Sequence, residues 1–159
     1  MDLSCFRPNV GVVLIRGDGK VWLGRRAKTE GPFNWQFPQG GVDAGEELAD
    51  AAFRELAEET GVTSATLITR TEGWITYAFP PEHTGAKVAK GWKGQKQVWF
   101  AMRFTGVDAE IDLEAHGEVE FDAWRWADIA DAIETVVPFK REAYRQVIEA
   151  FQPLTRAIP

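Results

Sequence analysis

The chain has 159 residues, 45% of them apolar, and a formal net charge of −6, which suits one buried core and a single domain spanning 1–159. No apolar run approaches the roughly 18 residues of a membrane span, MDLSCFRPNV does not have the composition of a secretion signal, and the lone Cys5 excludes an internal disulfide or a multi-cysteine zinc site. The acidic balance also excludes strong binding of duplex DNA or long strands, which needs clustered positive charge to displace counterions.

In chain order, Val10–Ile15 is an apolar β-branched run and Gly17-Asp18-Gly19 a turn into Val21-Trp22-Leu23, which predicts a hairpin ending at Arg25-Arg26. Ala27–Asn34 reads as a loop. Trp35-Gln36-Phe37 is a short strand that delivers the chain to Pro38-Gln39-Gly40-Gly41, where two glycines allow close backbone approach and a tight turn. A backbone carbonyl there is a candidate metal ligand. After a helix over 46–60, Ala65–Thr71 and Trp74–Phe79 are strand-like. Residues 82–94 form a mobile, aperiodic loop. Gln97–Phe104 is a buried strand, Ala109–Leu113 is strand-like, and Glu114–Glu118 is an acidic loop. His83 and His116 sit in these loops and read as solvated side chains. Glu120–Trp126 alternates like a strand, Asp128 can cap a short helix to Thr135, and Lys140–Phe151 carries an apolar face of Tyr144, Val147, Ile148 and Phe151. Strands before, between and after helices predict an α/β sandwich with a mixed sheet. Cys5 has no nearby His or Lys to activate it and reads as a free structural thiol.

The helix over 46–60 concentrates the chemistry. Glu46 and Glu47 fall in its first turn and Gly61 supplies a left-handed cap. Ala49, Ala52, Phe53, Leu56 and Thr60 share the arc assigned to the core, and Glu55, Glu58 and Glu59 share another. Stacking three carboxylates at i, i+3 and i+4 costs a few tenths of a kcal/mol per pair on an exposed helix. A hard divalent cation reverses that cost, because Mg²⁺ seeks oxygen ligands. A solvated acidic face is the ordinary reading of an isolated Glu-Glu pair. This pair is not isolated. The pattern G-x5-E-x7-R-E-U-x-E-E-x-G-U, with U apolar, is matched at all nine specified positions from Gly40 to Val62. Chance would produce that in a chain of this length with a probability on the order of 10⁻⁷.

That pattern is the Nudix box, and the chain resembles a Nudix hydrolase. Arg7-Pro8-Asn9-Val10-Gly11, Trp35 to Gly41, Gly94-Gln95-Lys96-Gln97, Glu120-Phe121-Asp122 and Phe139-Lys140-Arg141 extend the likeness. Together they resemble the bacterial RNA 5′-pyrophosphohydrolase group, whose relatives include dinucleoside polyphosphate hydrolases. The resemblance implies a Nudix α/β/α sandwich and Mg²⁺-dependent cleavage within a polyphosphate, with Mn²⁺ or another divalent cation able to substitute. It implies metal ligation by Glu55, Glu58, Glu59, Glu120 and the Gly40 carbonyl, with Arg54 orienting a carboxylate. Glu55, Glu58, Glu59 and Arg54 are thereby the catalytic set. It also implies substrate contacts from Arg26, Tyr77, Lys96, Val137, Phe139 and Lys140. The lesser readings are plain core for Phe139 and Val137 and a surface strand carboxylate for Glu120.

The expected activity is removal of pyrophosphate from 5′-triphosphorylated RNA by a cytoplasmic monomer. Asymmetric cleavage of diadenosine tetraphosphate is the alternative, and a non-catalytic nucleotide-binding module a weaker one. Basic clusters at Arg25-Arg26-Lys28, Lys87 to Lys96 and Lys140-Arg141-Arg145 suit capture of a small polyphosphate end.

Overall fold

The computed structural model describes residues 2–83 and 85–156. The chain runs β1 (Phe6–Ile15), β2 (Val21–Arg26), β3 (Trp35–Gln36), β4 (Gln39–Gly41), α1 (Leu48–Thr60), β5 (Ala65–Arg70), β6 (Ile75–Ala78), α2 (Ala86–Ala89), β7 (Gly94–Phe104), β8 (Phe121–Ala127), α3 (Asp131–Thr135) and α4 (Arg141–Phe151). The strands form one eight-stranded sheet, in the order β3-β2-β1-β7-β5, with β4 paired to β1, β6 to β7 and β8 to β2. β1 and β7 run parallel, from Phe6 opposite Gly94 to Ile15 opposite Arg103. The other pairs are antiparallel, so the sheet is mixed as predicted.

Period-2 alternation builds a core on each face. On β1, Val10, Val12 and Leu14 pack with the α1 side chains, and Val13 and Ile15 pack with those of α4. β7 repeats the division, with Phe100 and Met102 on the α1 side and Trp99 and Ala101 on the other. The predicted face of α4, Tyr144, Val147, Ile148 and Phe151, is buried. The Tyr144 hydroxyl accepts the Phe37 N–H at 2.9 Å, satisfying a backbone donor just after β3. No helix among the described residues is long and apolar enough to cross a membrane.

Five expectations are corrected. Helix α1 begins at Leu48, because Glu47 is extended and Glu46 is engaged elsewhere. Its buried side is Ala51, Ala52, Leu56, Glu59 and Thr60, while Ala49 and Phe53 are only partly buried. The core face is therefore turned toward β4, and Glu59 goes inside with it. Gln39–Gly41 is a strand rather than a turn, with Val10 opposite Gly40. Ala109–Leu113 is not a strand: a 3₁₀ turn at Asp108–Glu110 leads into it. Glu110 accepts the backbone N–H groups of Thr63 and Ser64 at 2.7 and 2.8 Å, and Ile111 and Leu113 reach the core by one-sided packing. Residues 82–94 carry the short helix α2; Thr84 of that stretch lies outside the described residues.

Gly61 caps α1 as predicted, at φ +79°, its N–H donating to the Ala57 carbonyl. Leu56 is fully buried between this helix and the sheet. Leu56→Ala should destabilise the fold by about 2–5 kcal/mol through lost burial and a residual cavity. Denaturant unfolding will read this, and an unchanged midpoint would misplace the helix face.

Candidate active site

One guanidinium organises the first cleft. Arg54 donates through Nε and Nη2 to both oxygens of Glu46, each at 2.8 Å, and through Nη2 to the Gly41 carbonyl at 2.8 Å. Its Nη1 donates to Glu55 at 2.9 Å and Glu58 at 3.2 Å. Glu46 also accepts the Asp43 N–H at 3.0 Å, and these bonds hold its carboxyl down at a pKa of about 2. The same bonds raise the Arg54 pKa, led by the bond to Glu46.

Glu59 lies behind this layer, 7% exposed, and accepts the Gln39 N–H at 3.1 Å. Burial raises its pKa well above the usual carboxylate range, and Glu55, Glu120 and Glu58 push in the same direction. Burial also raises Glu55, against the opposing pull of Arg54. The Glu55 carboxylate lies so close to Gly40 that a Cβ there would collide with it. Glu120 is exposed just before β8, where its carbonyl accepts the Ala27 N–H at 2.9 Å, and its side chain lines the same cleft of about 570 Å³.

These groups fit a hard divalent cation. Four carboxylates lie within electrostatic reach of one another, one buried at the cost of its charge, beside a backbone that only glycine allows. The fit is in donor type rather than a closed cage: among the described residues no three acidic, His or Cys side chains converge at ligating geometry. Arg54 draws Glu55 and Glu58 onto itself, which relieves the like-charge repulsion.

A second cleft of about 260 Å³ adjoins the first, and Lys87 lines both. Its floor is aromatic. Phe139 lies 5.7 Å from Tyr77, and His83 stacks on Phe79 at 4.9 Å and 15°. Burial lifts the Tyr77 hydroxyl to a pKa of about 12. Lys140 is 6% exposed, donates to Gln36 at 3.2 Å and lies 5.5 Å from the Tyr77 ring centre. Burial, with Arg26 and Lys87 nearby, brings its pKa down to about 7. Buried amides connect the clefts. Gln39 donates to the Tyr77 hydroxyl at 3.2 Å, and Gln97 donates to Asn9 at 2.8 Å and to Gln39 at 3.4 Å.

Of the residues singled out in the sequence, Gly40, Glu55, Glu58, Glu59 and Glu120 line the first cleft, with Arg54 bonded to two of them. Arg26, Tyr77, Phe139 and Lys140 line the second. Two do not come to either. The β7 pleat turns Lys96 away from Gln95 and Gln97, so that its Nζ lies 5.0 Å from the Trp74 ring centre. Val137 packs, partly buried, on the α4-side core. Arg7, Phe79, His83, Lys87, His116 and Glu118 are among the lining residues that were not assigned to the site. Arg7 sits in the Arg7–Gly11 stretch already singled out. Phe79 follows Tyr77 at the period of a strand. His83 and Lys87 belong to a segment with no period to read, where charge alone had placed Lys87 in a basic cluster suited to a polyphosphate; His83 is an aromatic wall rather than a solvated loop residue, and His116 and Glu118 come from the acidic loop before β8.

Residues 6–147 match the family described as NUDIX domain. The RNA pyrophosphohydrolase of Caulobacter vibrioides is 64% identical over 157 residues, covering 98% of this chain and 91% of that protein. The protein of the same name from Rhodospirillum rubrum is 47% identical over 143 residues, covering 90% and 85%. Among solved structures, the E. coli dihydroneopterin triphosphate pyrophosphohydrolase superposes with a TM-score of 0.70 at 23% identity, covering 91% of this chain and 98% of that one. A C. elegans Ap4A hydrolase gives a TM-score of 0.64 at 21% identity, covering 92% and 98%. Both share the fold. Nudix hydrolases generally use divalent cations.

Glu59→Gln removes the buried ionisable group, so in chelator its melting midpoint should equal or exceed the parent's. A divalent cation at about a hundred times its Kd should stabilise the parent by about 2.7 kcal/mol, and the variant by less than half of that. Equal shifts in both proteins would remove Glu59 from the cation site.

Proposed function

We propose that this chain, which belongs to the NUDIX domain family, removes pyrophosphate from the 5′-triphosphate end of RNA and leaves a 5′-monophosphate. It is a Nudix hydrolase. The observation that carries the nucleoside polyphosphate reading is the junction of two clefts of opposite chemistry: an acidic one on α1, and an aromatic, basic one of nucleobase size beside it. A nucleoside polyphosphate has the matching polarity, with a flat apolar base at one end and concentrated negative charge at the other. The 64% identity to a protein named RNA pyrophosphohydrolase supports RNA as the body attached to that end.

In this reading Glu55, Glu58, Glu59, Glu120 and the Gly40 carbonyl would hold Mg²⁺. When bound it supplies neutralisation of phosphate oxygens and activation of water. Arg54 fixes the Glu55 and Glu58 carboxylates. One of the box glutamates takes the proton of the attacking water. Water adds across the anhydride between the α and β phosphates, so that pyrophosphate leaves and the RNA keeps one phosphate. Tyr77 and Phe139 form the wall for the terminal base, and Arg26 and Lys140 bring positive charge to its phosphates. The setting is cytoplasmic.

Diadenosine tetraphosphate presents the same two ends, so the test is a competition. The kcat/KM for a triphosphorylated oligonucleotide should exceed that for diadenosine tetraphosphate by at least roughly tenfold, a difference of about 1.4 kcal/mol. The advantage should stop growing after the first few nucleotides. The reverse ranking makes the dinucleotide the substrate. Glu55→Gln should lower kcat by roughly 10²-fold with an unaltered circular dichroism spectrum, and activity near the parent's would dismiss its assignment.

A further inference from the structure

We propose that Lys87 is the residue that selects nucleoside polyphosphates over shorter phosphates, by holding the phosphate that crosses from the aromatic cleft to the acidic one. The inference rests on the function proposed above. Among the described residues Lys87 alone lines both clefts. It is half-buried on α2; its carbonyl accepts the Lys90 and Trp92 N–H groups, and its side chain is acted on by burial and by charges at a distance, with no side-chain hydrogen bond among the described residues. Arg7 from the acidic cleft and Arg26 from the aromatic one both repel it. Lys140 feels Arg26 and Lys87 in the same way.

Four basic side chains therefore face one place, where Glu59 and Glu120 act on Lys87 and Lys140 in the opposite sense, and none of the four forms an ion pair among the described residues. Assembling unpaired, desolvated positive charge is unfavourable on its own and becomes favourable around a multivalent anion. The backbone keeps Lys87 there. The Phe79 N–H donates to the Lys93 carbonyl, and the Lys93 N–H to the Cys5 carbonyl, each at 2.8 Å. These bonds close the base of the segment carrying α2 against β1 and β6. A monophosphate occupies one cleft only, whereas a triphosphate attached to a nucleoside must pass the junction.

The test compares Lys87→Ala, Lys87→Arg and, as a control on the same segment, Lys90→Ala, whose side chain is exposed and, against the expectation from its basic cluster, lines neither cleft. For triphosphorylated RNA, Lys87→Ala should raise KM roughly tenfold, the loss expected for one charge-assisted hydrogen bond, with kcat within threefold. The slope of log kcat/KM against log salt should become shallower by about 0.7, the signature of one lost ion contact to a single strand. Lys87→Arg should restore most of the affinity, and Lys90→Ala should match the parent. A merely structural lysine would leave the salt slope alone. Calorimetric titration with inorganic imidotriphosphate, which carries the charge without a readily cleaved anhydride, provides the second arm and should also show roughly tenfold weaker binding. A parent that turns over no RNA overturns the proposed function, while the titration still decides on Lys87. An unchanged KM or Kd in Lys87→Ala overturns the role of Lys87.

Discussion

Helix α1 carries more negative charge on one side than a helix turn holds comfortably, and Arg54 is what makes that tolerable. Its five donors sit in a rigid fork, and here they serve Glu46 twice, Glu55, Glu58 and the Gly41 carbonyl. A lysine could not replace it, because a single ammonium cannot face a loop carboxylate, a strand carbonyl and two helix carboxylates at once. The spacing of the box follows from this geometry. Gly40 leaves room for Glu55, Glu46 lies in the loop that the outer edge of the guanidinium reaches, and Gly61 ends the helix one residue beyond Thr60. The motif describes one packed object, in which loop, strand and helix share a charge.

Local spacing made that object legible in the sequence, because each member lies within a few turns of the next. The β1–β2 hairpin, the face of α4 and the Gly61 cap were readable for the same reason. What the period could not reveal was how deep an azimuth lies. Glu59 was assigned with Glu55 and Glu58 to one arc, yet it is buried because β4, predicted as a turn, pairs with β1 and packs over it. Ile111 and Leu113 alternate as a strand would, but the alternation records one-sided packing held by Glu110. Lys96 has the right charge and lies next to the right residues, and the pleat sends it to the other face. The 82–94 segment gave no signal because its positions are set by the clefts it covers rather than by a repeating core.

The two clefts are not independent modules. Gln39 gives its backbone N–H to Glu59 and its side-chain amide to Tyr77, so one residue of β4 positions a carboxylate and an aromatic wall. Gln97 supports Gln39 from β7, and the Trp99 indole donates to Gln97 at 3.0 Å. Buried amides are costly unless satisfied and stiff when they are. The bonds of this ladder therefore tie the two clefts to one another, although the Asn9 Nδ2 and Gln95 Oε1 atoms beside it are buried without a partner among the described residues. The Gln95-Lys96-Gln97 run was noticed in the sequence as part of a resemblance. In the structure the alternation explains it: Gln95 lines the second cleft, Gln97 is buried on the same side and supports Gln39, and Lys96 points to the other face.

Charge separation on a short length scale decides what kind of substrate such a surface can recruit. The chain is acidic overall, at −6, and charges further apart than about 8 Å are largely screened at physiological salt. A long nucleic acid approaching this surface gains little attraction from its body. At the junction of the clefts the balance is reversed locally, with Arg7, Arg26, Lys87 and Lys140 lining it and none of them ion-paired among the described residues. An end that carries several phosphates on one atom chain reaches all of these at once, whereas an internal backbone carries one charge per nucleotide and cannot. In the proposed function the net acidic charge and the basic junction would act together, the first disfavouring binding along a strand and the second favouring binding at its end.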